Sequence, residues 1–257
     1  RVLVMIRLNG GNDGLNTVIP LDQYANLMIH RPEIIIPQNQ ILSVTPEVGF
    51  HPQMQGMKGL FDQGKLSVVQ NVGYPEQNRS HFRSMDIWTS GSLDVSETRG
   101  WLGRYFDSYN PNYPTGYPNV TYPDPFAISM GSEVTATCQG IAANFSHAVS
   151  NPNNAVNLYQ GGFVNDGSYY GDHVEFVGTI IEQTNSFGQV INAAAQAGNN
   201  LSAMYDPTNT LATQLKYVAQ MISGGLKTKV YVLSLGGFDT HDNQADATNL
   251  LAGTHRG

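Results

Sequence analysis

The chain has 257 residues, enough for one large domain or two small ones, and enough to enclose a sizeable core. Only 13% of it is charged, about half the usual share, and the net charge is −7 with no Lys/Arg run, which argues against a nucleic-acid backbone as partner. A single cysteine, Cys138, excludes a disulfide framework within the chain, and no apolar stretch approaches the ~20 residues of a membrane helix.

The first element, Val2 to Leu8 (VLVMIRL), is a continuous apolar run closed by NGGNDG. Such a run ending in glycines predicts a strand buried on both faces, as in a parallel sheet. Opening directly on a core strand suggests that an upstream segment has been removed. Leu21 to His30 reads as a short helix that Pro32 ends, and EIII after it as a short strand. Met54, Met57, Leu60 and Phe61 lie at helical spacing, with Gly64 as the C-terminal cap. LSVVQNVG then predicts a second buried strand, so the opening follows α/β grammar.

From RSHFRSMDIWTSG to GWLGRYFDSY the pattern is helical again, with Asn78 or Ser80 as cap and Phe82 and Trp88 as core candidates. Residues 110–125 carry five prolines (Pro111, Pro114, Pro118, Pro123, Pro125), which forbid regular pairing. FAISMG predicts a short strand, and the Asn-, Gly- and Tyr-rich stretch 144–173 predicts irregular structure. Val174 to Ala203 reads as a helix. Thr210 to Gly224 is a better one, with Leu211, Leu215, Val218, Ala219 and Ile222 on one face. KVYVLSLGG is the last predicted strand. Residues 1–257 are therefore expected to form a single α/β domain, the N-terminal portion of a longer one, with irregular insertions near 108–125 and 144–173.

Ligands of open α/β sheets gather beyond the carboxyl ends of the strands. Two strands here end alike: VLVMIRL runs into NGGNDG, and VYVLSL into GGFDTHDNQ. Each sets a glycine pair before polar groups, so Asp13, Asp239 and His241 could meet despite their separation along the chain. Carboxylates with imidazole suit a borderline divalent cation. Asp13 could equally cap its own turn, and Asp239 the following helix. Asn12 and Gln244 flank these groups. Ser80, between Arg79 and His81, stands where a helix begins, so it is either a nucleophile or oxyanion contact, or a plain N-cap. His51 could contact the site or cap a helix through its ring. His30, His147 and His173 are expected to be solvated, and Cys138 to be a small buried residue.

The segments LNGGNDGLNTVIP, GKLSVVQNVGYP, RSHFRSMDIW, GWLGRYFD and LGGFDTHDNQ occur in this order. Together they resemble the bacterial family catalogued as domain of unknown function 1501, of the alkaline phosphatase superfamily. The resemblance implies a three-layer αβα sandwich around a mostly parallel sheet, with further motifs beyond residue 257. It also implies a twin-arginine export signal, and hence a periplasmic or secreted protein. By that resemblance the cofactor is a divalent metal, zinc or manganese, and the reaction is cleavage of phosphate or sulfate esters. Asp13, Asp239 and His241 would be metal ligands and Ser80 the nucleophile, although the D-T-H spacing is narrower than in superfamily hydrolases. The competing expectation is a secreted accessory or structural subunit that has lost catalysis and binds a surface glycan or another protein.

Overall fold

A computed structural model describes residues 1–154, 163–240 and 244. The chain is α/β and divides into two compact units, Arg1–Arg7 with Phe82–Ser234, and Leu8–His81 with the residues from Leu235 onward.

The first unit is built on a four-stranded sheet. Its strands are β1 (Leu3–Leu8), β5 (Ala127–Met130), β6 (Ser146–Val149) and β7 (Val230–Leu235), in the order β1-β7-β5-β6. β5 runs parallel to both β6 and β7. Leu3 N–H donates to Lys229 O and Asn9 N–H to Leu235 O, so both chains ascend together and β1 is parallel to β7 as well. The helices are α4 (His81–Ser90), α5 (Trp101–Tyr109), α6 (Tyr169–Ala197) and α7 (Thr210–Ser223).

Alternate side chains of a strand face opposite ways, and β7 shows what that does here. Tyr231 and Leu233 pack with Phe187 and Ile191 of α6 and Val218 and Met221 of α7. Val230 and Val232 pack with Leu102 and Phe106 of α5 and with Tyr113 from the proline-rich loop. Helices therefore cover both faces of the central strands. Complete burial of a side chain such as Leu233 contributes roughly 1.5–3 kcal/mol.

The second unit carries a three-stranded antiparallel sheet, β2 (Val18–Pro20), β4 (Val48–Phe50) and β3 (Leu42–Ser43), in the order β2-β4-β3. Its helices are α1 (Gly14–Thr17), α2 (Tyr24–His30) and α3 (Gln55–Asp62). α3 ends as expected, with Gly64 N–H bonded to Phe61 O and Lys65 N–H to Leu60 O. Among the described residues no helix is long and apolar enough to cross a membrane.

Several expectations give way. β1 is not buried on both faces: it takes an edge position, and Leu3, Val4, Ile6 and Leu8 are exposed. The helices cover β5 and β7 instead. LSVVQNVG forms no strand, and Val69 and Val72 are exposed: β propensity alone does not bring a segment into a ladder. EIII is a turn whose Ile34 and Ile36 carbonyls accept side-chain bonds from Asn16 and Tyr24 in place of ladder bonds. Phe82 and Trp88 lie on the exposed side of α4, which buries Ile87 instead. The stretch expected to be irregular from 144 holds β6, whose four residues suffice because β5 offers a full parallel partner. His147 is on that strand and part-buried, not fully solvated.

Candidate functional site

The second unit gathers most of the residues singled out at the strand ends. Past β1 the chain turns through Gly10 and Gly11, with φ of +98° and +70°. Both places are closed to a side chain. A Cβ on Gly10 would lie 2.7 Å from the Asp239 backbone nitrogen, and one on Gly11 would lie 2.8 Å from His81 Cε1. The two glycines thus form a floor on which Asp239 and His81 rest. The segment after β7 is fastened there by Phe238, which is buried and donates its N–H to Asn9 O.

Above the floor His81 Nε2 and Asp239 Oδ1 are 3.6 Å apart, both side chains about half exposed. Two ligands bound to one zinc at ~2.0–2.2 Å with a tetrahedral angle stand roughly 3.4 Å from each other. The pair therefore has a spacing suited to one ion. Among the described residues no group of three or more His, Cys, Asp or Glu gathers, so the pair supplies two ligands of the three or four such a site needs. His241, expected to join them, lies outside the described residues.

Asp13 is occupied otherwise. It is the N-cap of α1, its Oδ1 accepting from the N–H groups of Leu15 and Asn16 at 3.2 and 3.3 Å. Its Oδ2 takes an ion pair from Arg31 and a hydrogen bond from Gln244. Burial raises the Asp13 carboxyl, but the bonds from Arg31 and Gln244 and the arginine charge outweigh it and hold the group below the ordinary carboxylate range. The capping reading of Asp13 holds, and its negative charge is answered by Arg31 across 18 residues of chain. Asn12 accepts from the Thr17 hydroxyl at 3.2 Å, which steadies the same turn.

Ser80 precedes the first residue of α4 and is exposed, its N–H donating to Asn78 Oδ1 at 2.8 Å. Arg79 beside it is exposed too. His51 does not cap the helix: its Nδ1 accepts from Gln53 N–H at 3.2 Å in the turn before α3, whose N-cap, Met54, makes no side-chain capping bond. Arg31 is the functional neighbour that the sequence did not single out, since nothing in its surroundings marks it as the partner of Asp13. Cys138 is buried as expected, which pushes its thiol up to about 12 and leaves it unreactive at neutral pH.

No family model, no curated protein and no solved structure matches the chain.

Proposed function

We propose that the chain is an exported, hydrolase-like protein of the alkaline-phosphatase type, acting on phosphate or sulfate esters at the crevice formed by Gly10, Gly11, His81 and Asp239. The observation that carries this reading is the convergence of His81 and Asp239 over a glycine floor beyond the carboxyl ends of adjacent parallel strands. The parallel sheet with helices on both faces supports the three-layer architecture of that superfamily, and the low charge content suits a protein outside the cytoplasm.

In this reading His81 and Asp239 would hold a zinc or manganese ion, which when bound supplies a Lewis acid for the ester oxygens. Ser80 is the nucleophile. Its Oγ bonds to the phosphorus or sulfur, the ester oxygen leaves as the alcohol with the proton that the serine gives up, and water then cleaves the serine ester. The positive end of the α4 dipole favours the anionic group beside Ser80. Arg31 keeps Asp13 charged and fixed, so the NGGND turn stays formed while substrate enters.

A second reading, an accessory or structural subunit binding a glycan or another protein, is favoured by the engagement of both Asp13 oxygens with the chain's own donors. Calorimetric titration with zinc and manganese, together with hydrolysis of aryl phosphate and aryl sulfate esters, separates the two. The hydrolase reading expects Asp239→Asn to weaken metal binding about 10–100-fold, and Ser80→Ala to abolish turnover with metal affinity intact. Absence of turnover with either metal sinks it and leaves the accessory reading.

A further inference from the structure

A cavity of about 720 Å³ opens in the first unit beside edge strand β6, within the ~300–1,000 Å³ range of small-molecule sites. Its deep wall is apolar: Val149, Phe187 and Ile191 are each less than a tenth exposed. Among the described residues that line it none is charged. A charged ligand would lose its water there and find no counter-ion, at a cost far above that of a neutral one.

Two part-buried polar side chains on the lining stand next to the apolar wall and make no hydrogen bond among the described residues. His147 stands on β6 on the same side as Val149, its ring edge-on to Phe187 with centroids 6.1 Å apart. Neither ring nitrogen makes a hydrogen bond or ion pair among the described residues, and the partial burial of the side chain lowers its pKa and favours the neutral ring. The Thr184 hydroxyl on α6 likewise makes no hydrogen bond among the described residues. Other polar groups of the wall are bonded within the chain, Tyr113 donating its hydroxyl to Gln183 Oε1 at 3.0 Å and Ser146 its hydroxyl to Asn144 Oδ1 at 2.7 Å. His147 and Thr184 are only part-buried and line the cavity, so an imidazole and a hydroxyl beside an apolar wall are open to a ligand that enters it and bonds them.

We infer that this cavity binds an uncharged, ring-bearing alcohol or phenol, its ring against Phe187 and Ile191 and its hydroxyl bonded to His147, with Thr184 within the same polar rim. A neutral imidazole offers one acceptor and one donor, which matches a hydroxyl in both senses. The shape of the wall asks for a flat or compact apolar body, and the absence of charge among the described lining selects against carboxylates of the same size. This site is separate from the ester-cleaving reading and stands whether or not that reading survives.

The test uses the whole chain and phenol as the probe, titrated by NMR while the His147 Cε1–H signal is followed, with toluene and benzoate as comparators. The expected result is saturable phenol binding that moves the His147 signal, toluene weaker by about tenfold for the lost hydrogen bond, and no binding of benzoate. His147→Phe keeps the ring packing and is expected to lower phenol affinity to that of toluene. An unmoved His147 signal overturns the inference. So does benzoate binding as tightly as phenol, or toluene equalling phenol. The comparison on the unmutated chain decides the matter even if His147→Phe fails to fold.

Discussion

Gly10 and Gly11 look interchangeable in sequence, yet their surroundings differ in a way that can be measured. At Gly10 the obstacle to a Cβ is backbone, the Asp239 nitrogen at 2.7 Å, and backbone tied by Phe238 cannot step aside. At Gly11 the obstacle is the ring of His81, whose side chain is half exposed and free to swing. Both substitutions to alanine incur about 1–2 kcal/mol for a left-handed backbone, and Gly10→Ala adds the steric clash. Urea unfolding should therefore rank Gly10→Ala as clearly more destabilising than Gly11→Ala. The latter should instead displace His81 and weaken any metal bound with Asp239. Equal losses in the two variants would mean that the His81 ring is held as rigidly as the Asp239 backbone. At this scale the sequence showed the glycine pairs and the acids behind them but not who meets whom. Asp13 and Asp239 occupy like places after like strands, and one is spent on its own helix and Arg31 while the other faces a histidine.

Helix α7 shows the element scale at its most legible. Thr210 to Gly224 carries an apolar stripe at helical spacing and a glycine pair at its end, and the helix runs Thr210–Ser223, capped by Asn209, which the sequence pattern did not single out. Asn209 Oδ1 accepts from Ala212 N–H at 3.1 Å, so Asn209→Ala should cost about 1 kcal/mol. Thermal unfolding checks this, and Asn209→Asp or Asn209→Ser should restore most of the loss. α3, α5, β5 and β7 were legible for the same reason: pattern, propensity and punctuation agree. LSVVQNVG and EIII misled because a β-branched run announces only that a strand would be comfortable. Whether a neighbour offers its edge is a tertiary fact. β6 went unseen for the opposite reason, since SHAV has little strand character of its own and owes its conformation to β5. The antiparallel β2-β4-β3 sheet is built from strands of two or three residues, too short to show a period.

Across the whole molecule the two units should respond to acid in separate ranges, because each buries a different titrating group. In the first unit burial lowers the His147 imidazole from 6.5 to about 4. Between those values the unfolded chain takes up a proton that the folded chain refuses, so stability falls as pH falls through that window and is complete above it. The shift corresponds to about 3 kcal/mol in total. In the second unit the Asp13 carboxyl is held below its ordinary range, so its contribution is present above that range and is lost only as pH falls further, toward the folded value. Descending pH should thus weaken the sheet carrying β5, β6 and β7 first and the NGGND turn afterwards. Hydrogen exchange resolved by segment, measured from pH 7 down to about pH 2, reads the order. His147→Phe should flatten the upper part of the profile and leave the lower part, where Arg31→Gln should act by removing the partner of Asp13. Parallel profiles for the original chain and His147→Phe would show that the imidazole is reached by protons in the folded state, and the neutral wall of the cavity beside β6 would then have to be redrawn.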